Sequence, residues 1–484
     1  MRLSELLGRF PSLELQGPDL EAASLVLKAQ DAEPGSLFIA LPGAKGHGLN
    51  WEEEAVRRGA VAVFSDRKGA LDVPYLIHPR PREILAPLSF HFYGEPQKKL
   101  RLAGITGTTG KTTTAHLAQF ILARKAPAGL LSTTHYQVGK KTHPSPYTTP
   151  EAPLLARMLR LMVEEECACA VMEVSSHALV LGRIEGMTFA AAAFTNLGRD
   201  HLDFHITMDD YFAAKRRIFD HLSPDGTAVL NAGDPKVAAI RLPGRKVLTF
   251  ALEGGADVGA RDVRFTERGA EGTLDLCGTT VAFAAPMFGK HNIENILAAS
   301  AVLTALGLSP EEIREGLAAF PGVPGRLERV DQGQKFHVFV DYAHTPEGFE
   351  RILTAVREVF QSKIITVFGC GGDRDKGKRR IMGDIAGRLS DIVILTTDNP
   401  RSEDPARICQ EISEGVLASG QQKVLIVLDR AEAIRQALHM ANPHFVVMFL
   451  GKGHETYQLV GDRALPFSDV KEAQKVLKEI LDEA

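Results

Sequence analysis

The sequence has few cysteines and no long apolar run, and each shortage excludes a class of protein. Its 484 residues include five cysteines, scattered along the chain, which suits a reducing compartment better than a disulfide framework. Cys167 and Cys169 have no second cysteine pair, so we interpret them as strand residues and not as metal ligands. No stretch is long enough to span a bilayer, and the N-terminus lacks the apolar core of a secretory signal. We therefore expect a cytoplasmic protein without membrane insertion.

An excess of charge of one sign is also missing. The formal net charge is -4 at pH 7 and no long basic run is present, which argues against nucleic-acid partners and anionic membranes. Apolar residues make up 44% and charged residues 24%, as in ordinary globular proteins. The chain shows no repeat of solenoid period and no low-complexity segment. Its length exceeds that of one hydrophobic core and predicts about two to four domains.

Apolar strands and helical patterns alternate along most of the chain, which predicts an α/β protein. A small α/β module is expected at residues 1–97. From residue 98 to 325, strands such as 102–105, 169–174 and 190–195 are separated by helical stretches, which predicts a parallel, doubly wound sheet. A third alternating block is expected at residues 326–484. Ligands bind beyond the carboxyl ends of strands in such sheets, so the loops there are the candidate sites.

The strongest local motif follows the strand at residues 102–105. A strand, a glycine-rich loop, Lys-Thr and a helix occur in that order, which favours a nucleotide-binding loop over an ordinary glycine turn. Ile105 stands where the standard P-loop has its first glycine. Backbone N–H groups of such a loop surround phosphate oxygens, the lysine neutralises the terminal phosphates and the threonine can bind Mg²⁺. The predicted loop residues are Gly107, Thr108, Thr109, Gly110, Lys111 and Thr112.

Two further strand ends carry candidate metal ligands. Glu173 closes the strand at 169–174, where a carboxylate can hold Mg²⁺ against phosphates, although a strand-end acid is more often a surface or paired group. Residues 195–205 concentrate acids and histidines. Single histidines are usually structural, but this density favours a metal or substrate contact, and we choose His201 as the second metal contact. Lys215, on a predicted helix, would by itself be interpreted as a solvated lysine.

Later motifs also follow strands or occupy one helix face. Asn292 and Asn295 are three residues apart and can contact an adenine edge, although a helix cap or a polar face explains them equally well. The runs at 341–346, 369–377, 398–401 and 451–455 each come directly after a predicted strand.

Taken in order, these motifs resemble those of the Mur ligase family over nearly the whole chain. The runs that carry the resemblance, besides the loop, are Glu173-Val174-Ser175-Ser176-His177, Asp200-His201-Leu202-Asp203, His291-Asn292 with Asn295, Gly325-Arg326 with Glu328, and Asp341-Tyr342-Ala343-His344-Thr345-Pro346. The later runs resemble members that add the third residue of the peptidoglycan stem. In particular they resemble the meso-diaminopimelate-adding form, which carries the Asp-Asn-Pro-Arg motif found at residues 398–401.

The resemblance implies three domains: an N-terminal domain for the UDP end of a substrate, a central P-loop ATPase with a parallel sheet, and a C-terminal Rossmann-like domain for the amino acid. It implies an amide ligase of peptidoglycan synthesis that uses ATP and Mg²⁺ and passes through an acyl phosphate. The implied substrates are UDP-MurNAc-L-Ala-D-Glu and meso-diaminopimelate, and we expect a monomer. Open alternatives are lysine or ornithine as the amino acid, a folylpolyglutamate synthetase-like ligase, or a P-loop switch that hydrolyses ATP.

The resemblance also assigns residues. It implies that Lys215 is carbamylated and binds a second Mg²⁺. With Thr112, Glu173 and His201 it would complete the metal ligands, and the catalytic set would be Lys111, Glu173, His201 and Lys215. Two departures are visible: Lys28-Ala29-Gln30 replaces the usual Asp-Ser-Arg, and Thr109 stands where many members have asparagine. The other implied contacts are Asn292, Asn295, Arg326 and Asp341 for ATP, Thr148, Thr149, Ser175 and Arg183 for the UDP-substrate, and Arg374, Asp398, Asn399, Arg401, Gly451 and Glu455 for the amino acid. Arg401 could instead pair with Glu403 or Asp404 at the surface.

Overall fold

The computed structural model describes residues 1–43 and 46–483. Contacts between residues divide the chain into two compact units. The first unit comprises Met1–Gly259 with Leu276–Thr279 and Leu297–Ile313, and the second comprises Ala260–Asp275, Thr280–Ile296 and the chain from Arg314 onward. The domain boundaries at residues 97 and 325 stay a prediction.

The first unit opens with a small mixed sheet in the order β1-β7-β6-β3-β2, in which only the β1–β7 pair is antiparallel. Strand β3 is buried along its whole length, which explains its continuous apolar sequence. Lys28-Ala29-Gln30 lies at a short 3₁₀ turn, Ala29–Asp31. The elements are α1 (Leu3–Arg9), β1 (Glu14–Gln16), β2 (Ser24–Val26), β3 (Ser36–Ala40), β4 (Pro42–Gly43), β5 (Gly46–His47), α2 (Glu52–Arg57), β6 (Ala60–Ser65), β7 (Tyr75–Ile77) and α3 (Pro81–Phe92).

A larger sheet follows, and its strands up to the first two residues of β16 lie in the same unit, in the order β11-β10-β9-β12-β8-β13-β14-β15-β16. Its strands from β9 to β16 are parallel. Register places Glu173 beside Ile105 and Phe194 beside Thr106, so neighbouring strands end at one level. The elements are β8 (Arg101–Thr106), α4 (Lys111–Ala123), β9 (Ala128–Leu131), β10 (His135–Val138), β11 (Lys141–Pro144), α5 (Ala152–Glu164), β12 (Cys169–Glu173), α6 (Ser176–Val180), β13 (Phe189–Phe194), α7 (Leu202–His205), α8 (Met208–Arg216), β14 (Leu222–Asn231), α9 (Pro235–Ala238), β15 (Lys246–Ala251) and β16 (Val258–Thr266).

The second unit is built on a sheet in the order β19-β20-β24-β21-β22-β23, parallel except at β19. Side chains alternate between its faces: Phe339 packs with α12–α14, whereas Val338 and Val340 pack with α15 and α16. The remaining elements are β17 (Gly269–Leu276), β18 (Thr279–Ala285), α10 (Lys290–Ala305), α11 (Pro310–Ala319), β19 (Glu328–Arg329), β20 (His337–Asp341), α12 (Pro346–Val359), β21 (Lys363–Phe368), α13 (Gly377–Leu389), β22 (Ile392–Leu395), α14 (Pro405–Ala418), β23 (Val424–Ile426), α15 (Arg430–Met440), β24 (Phe445–Leu450), β25 (Tyr457–Val460), β26 (Arg463–Pro466) and α16 (Asp469–Glu483).

The predicted α/β architecture with parallel sheets is confirmed. Cys169 begins β12 and Cys167 lies just before it, and both thiols are free. Within residues 1–43 and 46–483, no three histidine, cysteine or acidic side chains are grouped to hold a metal. Over the same residues, no helix has the length and apolarity needed to cross a membrane.

Candidate active site

The glycine-rich loop joins β8 to α4 and is already hydrogen-bonded in a fixed shape. Gly107 and Gly110 have φ of 148° and 82°, which glycine adopts without strain. A side chain at position 107 would overlap the Thr195 hydroxyl. The loop is tied to the residues after β13, because Thr109 N donates to Asn196 Oδ1 at 2.9 Å and Thr195 Oγ1 donates to Thr109 O at 2.7 Å. Lys111 Nζ donates to the carbonyls of Gly107 and Thr108 at 2.8 and 2.9 Å.

Glu173 is fully buried at the end of β12 and accepts hydrogen bonds from the start of α4 and from the residues after β9. Thr112 Oγ1, from the start of α4, donates to Oε2 at 3.0 Å. Ser132 Oγ and Thr133 N, from the end of β9, donate to Oε1 at 2.6 and 2.8 Å, and Thr133 Oγ1 donates to Oε2 at 3.2 Å. Every partner is a donor, so both carboxylate oxygens are fixed in one orientation. Ser132 and Thr133 were not among the predicted site residues, because only the sheet order brings β9 beside β12.

The predicted UDP-substrate residues are linked to Glu173 through Thr133 and through the backbone carbonyl of Glu173. The hydroxyls of Thr148 and Thr133 are 3.0 Å apart. Thr149 Oγ1 donates to the carbonyl oxygen of Glu173 at 2.9 Å and accepts from Ser175 N at 2.9 Å. Three of the four residues predicted from the sequence therefore join the Glu173 hydrogen-bond network.

Arg183, the fourth of these residues, is held by the same segment. Its Nη1 donates to the carbonyl oxygen of Thr149 at 2.9 Å, and its Nη2 pairs with Glu151 at 2.6 Å. The guanidinium also lies 5.5 Å from the centre of the Tyr147 ring. A planar cation positioned in this way can bind a carboxylate or phosphate group.

Lys215 is buried on α8, contrary to the solvated lysine that its isolated sequence context would indicate. Its Nζ donates to the carbonyl oxygen of Gly107 at 2.6 Å and lies 4.5 Å from the centre of the Tyr211 ring. Burial, and then the charge of Lys111, lowers the pKa of Lys215 well below its ordinary value. A neutral amine at this position is a nucleophile.

His201 directly precedes the short helix α7, with a φ of 53°, and is about half exposed, its side chain retaining 46% of its accessible surface. Its ring lies 5.0 Å from that of His177, which stacks on Phe204 at 4.2 Å. Burial lowers the pKa of His201, and the charges of Lys111 and Lys215 act in the same direction. Among the described hydrogen bonds, none joins His201 to the Glu173 network, so its metal role stays a prediction.

The other predicted ATP contacts belong to the second unit. Asn292 and Asn295 lie on one buried face of α10, with Asn295 Nδ2 donating to Asn292 Oδ1 at 3.2 Å. Arg326 lies 4.8 Å from the centre of the Tyr342 ring. Asp341 accepts from Leu327 N and Ala343 N, each at 2.7 Å, and burial raises its pKa against the opposing effect of Arg326. An arginine stacked on an aromatic ring offers a flat surface that a base could contact.

Most of the predicted amino-acid contacts meet at the ends of β22 and β24. Asn399 Nδ2 donates to Glu455 Oε2 at 2.9 Å. Lys452, fully buried and absent from the predicted set, donates to Glu455 Oε2 at 2.9 Å and to Asn399 Oδ1 at 3.2 Å. A side chain at Gly451 would come within 2.7 Å of Asp398 Oδ2, and burial raises the pKa of Asp398. The sequence motif contains Lys452, but only the fold shows that it is buried.

Arg401 does not make the surface ion pair with Glu403 or Asp404 that is the alternative to a substrate contact. Its Nη1 donates to the carbonyl oxygen of Gly372 at 2.7 Å, and its backbone N donates to Leu459 O at 3.1 Å. Glu403 pairs with Arg379 instead. Arg374 is exposed in the loop that contains Gly372, so the two predicted arginines lie on adjoining loops.

The parallel sheets, the glycine-rich loop between β8 and α4 and the buried carboxylate at a strand end are the features of the P-loop enzyme class. The chain matches the family models described as Mur ligase middle domain, over residues 105–303, and Mur ligase, glutamate ligase domain, over residues 325–453. A Gloeobacter violaceus protein named UDP-N-acetylmuramoyl-L-alanyl-D-glutamate--2,6-diaminopimelate ligase is 41% identical, with 99% of this chain and 98% of the relative covered. A Geobacillus thermodenitrificans protein of the same name is 40% identical, with 99% and 100% covered. A solved structure under that name is 30% identical, with a TM-score of 0.66 and 95% of each chain covered. The chain belongs to the Mur ligase family, whose members are ATP-dependent amide ligases.

Proposed function

We propose that this enzyme joins an amino group of meso-diaminopimelate to a carboxylate of UDP-MurNAc-L-Ala-D-Glu, in cytoplasmic peptidoglycan synthesis, with ATP converted to ADP and phosphate. The observation that supports this most directly is the likeness, over 99% of the chain, to relatives bearing that activity in their name. The free cysteines suit the cytoplasm.

In the first step, a substrate carboxylate attacks the γ-phosphate of ATP, forming an acyl phosphate and releasing ADP. Attack brings anions together, so fixed positive charge lowers the barrier. Lys111 can supply that charge, because its amine lies within the phosphate loop.

The donor set beside the loop fits Mg²⁺. Thr112 and Glu173 offer the oxygen ligands that this ion prefers and are 3.0 Å apart. We propose that they hold one ion together with His201, and that a carbamylated Lys215 binds a second Mg²⁺. When bound, Mg²⁺ would neutralise phosphate charge. The Thr112 hydroxyl donates a hydrogen bond to Glu173, so the lone pairs of Thr112 Oγ1 remain for a ligand role.

Carbamylation of Lys215 is supported by the environment of its amine. The neutral amine can attack the carbon of CO₂. An N–C bond forms, one C=O π bond opens onto oxygen, and the nitrogen loses a proton to solvent, so that a carbamate anion replaces a potential cation. The lowered pKa of Lys215 favours the neutral form needed for this attack. The nearby Lys111 would stabilise the resulting anion.

We propose that the UDP-linked substrate binds Thr148, Thr149, Ser175 and Arg183, which places its carboxylate near the phosphate loop. In the second unit, Arg401 would bind the distal carboxylate of meso-diaminopimelate, while Asn399 and Glu455 accept hydrogen bonds from the adjacent ammonium. Lys452 holds Glu455 in place. The other amino group of the substrate then attacks the acyl phosphate at carbon and expels phosphate.

The test is incubation with UDP-MurNAc-L-Ala-D-Glu, ATP and, in parallel, meso-diaminopimelate, lysine, ornithine or glutamate, followed by mass spectrometry. We expect the UDP-linked tripeptide with meso-diaminopimelate, and one ADP per amide bond. Equal or better use of lysine or ornithine would overturn the amino-acid assignment. ATP hydrolysis without any amide product would favour a P-loop switch instead.

A further inference from the structure

The loops that carry Arg374 and Arg401 are fastened to each other by side chains outside the predicted site. We call residues 369–377, after β21, the first loop, and residues 396–404, after β22, the second loop. Ser402 N and Oγ donate to the two carboxylate oxygens of Asp373 at 3.1 and 2.7 Å. In return, Asp373 N donates to Glu403 Oε1 at 2.6 Å. Each loop thus supplies donors and acceptors to the other.

A third element anchors this contact. Arg379, on α13, has a fully buried side chain whose Nη2 and Nη1 donate to the two carboxylate oxygens of Glu403 at 2.9 and 3.1 Å. Its Nη1 also donates to Glu411, on α14, at 2.8 Å. A buried guanidinium requires such partners, since removing one leaves an uncompensated charge. Glu403, in the second loop, is therefore bonded both to the first loop, through Asp373 N, and to the buried Arg379 of α13.

The backbone at the loop contact needs this support. Asp373 and Arg401 both have φ near +50°, at 52° and 51°. This left-handed conformation is unfavourable for residues other than glycine and persists where surrounding contacts fix it. Arg401 is also bonded through Nη1 to Gly372 O, in the first loop. Any relative movement of the two loops would therefore move the Arg401 guanidinium.

We propose that Glu403 and Arg379 are positioning residues for amino-acid selection: together they hold the two loops so that Arg401 presents its guanidinium to the distal carboxylate of the substrate. In this proposal Arg401 binds the carboxylate, and Glu403 and Arg379 act through Arg401. The inference rests on the proposed function, because it assumes that Arg401 binds the amino acid.

Glu411 provides a matched control. Glu403→Gln and Glu411→Gln each remove one carboxylate partner from the same buried Arg379, but only Glu403 contacts the first loop. The experiment measures KM for meso-diaminopimelate, for ATP and for the UDP-linked substrate, together with thermal unfolding. We expect Glu403→Gln to raise KM for meso-diaminopimelate about tenfold, equivalent to about 1.4 kcal/mol. We expect Glu403→Gln to change KM for ATP and for the UDP-linked substrate by less than about twofold. We expect Glu411→Gln to change each of the three KM values by less than about twofold.

Two further variants separate positioning from general destabilisation. Ser402→Ala removes a contact between the loops without leaving a buried charge, and should raise the same KM. In an Arg401→Ala background, Glu403→Gln should add little, because the group it positions is gone. Equal effects of Glu403→Gln and Glu411→Gln, or an unchanged KM for meso-diaminopimelate, would overturn the positioning role while leaving the ligase assignment intact. A wild-type enzyme that forms no amide with meso-diaminopimelate would overturn both.

Discussion

The Lys215 amine donates a hydrogen bond of 2.6 Å to the carbonyl oxygen of Gly107. Lys111 reaches the same oxygen at 2.8 Å, so two lysines of different burial share one acceptor in the phosphate loop. Two charged ammonium groups would repel each other there, and burial already disfavours charge on Lys215. The Gly107 carbonyl is therefore shared by Lys111, for which we propose a phosphate-binding role, and by Lys215 of α8, whose burial favours the neutral amine.

Lys111→Ala should abolish ligation while leaving the fold intact. The lysine acts on charge that develops during phosphoryl transfer, and loss of one such stabilising group typically lowers kcat about 10²- to 10³-fold or more. The measurement is tripeptide formation, with thermal unfolding and circular dichroism as controls for folding. Near wild-type turnover would contradict the ATP-binding role of this loop.

Lys215 should carry a carbamate when bicarbonate is supplied. The measurement is ¹³C NMR of enzyme equilibrated with ¹³C-bicarbonate, in which wild type should show a carbamate resonance that Lys215→Met lacks. Lys236→Met, at an exposed lysine paired with Asp209, serves as the control and should keep the resonance. A folded, active wild-type enzyme with an unmodified Lys215 would refute the proposal.

Thr133→Val should weaken catalysis through Glu173. The substitution removes the hydroxyl that lies 3.2 Å from Glu173 Oε2 and 3.0 Å from Thr148 Oγ1, but keeps the backbone donor. Hydrogen bonds to charged groups contribute about 1.5–3 kcal/mol, so we expect kcat/KM to fall about ten- to hundredfold and the Mg²⁺ requirement to rise. Thr133→Ser keeps the hydroxyl and should retain most activity. Equal losses in the two variants would indicate a packing effect instead.

The sequence was most informative where the residues of a site are close together along the chain. The loop from Gly107 to Thr112 and the strand-end Glu173 could be predicted because each motif lies next to the strand that positions it. Ser132 and Thr133 could not, because their contact with Glu173 depends on which strands become neighbours in the sheet. The family resemblance selected Lys215, whereas its burial and its bond to Gly107 became visible only in three dimensions.

In the second unit as well, the motif residues could be predicted from the sequence, whereas their buried partners could not. Arg401 and Glu455 were selected from their motifs, but the buried ammonium of Lys452 between Asn399 and Glu455 was not. A lysine between two glycines is an ordinary surface pattern, so its sequence context alone gives no reason to place it in a buried site. The pairing of Glu403 with Arg379 likewise joins α13 to a loop after β22, which local periodicity does not predict.

Arg401→Ala should lose the preference for meso-diaminopimelate over lysine. Guanidinium can bind the distal carboxylate through two parallel hydrogen bonds, and lysine has no such group. A charge left without its partner costs about 3–5 kcal/mol in a buried site, so kcat/KM for meso-diaminopimelate should fall at least about 10²-fold. Activity with lysine should not fall. Arg407→Ala removes an exposed arginine of α14 and should leave selectivity unchanged; an unchanged preference in Arg401→Ala would contradict its assigned role.

The contribution of Glu403 to stability should disappear on acidification. Hydrogen bonds from Arg379, and then from Asp373 N, lower the pKa of Glu403 from 4.5 to about 2. Because the folded pKa lies below that of the unfolded chain, this stabilisation is present above about pH 4.5 and is lost as the pH falls towards 2. Glu403→Gln cannot titrate, so its thermal midpoint should lie below that of wild type at about pH 7, and the difference between the two midpoints should narrow at about pH 3.

Ser402→Ala disturbs the same loop contact without removing a titratable group, so the difference between its thermal midpoint and that of wild type should change less with pH. A Glu403→Gln gap that stays constant or widens on acidification would show that the Arg379 pair does not hold Glu403 ionised in the folded protein.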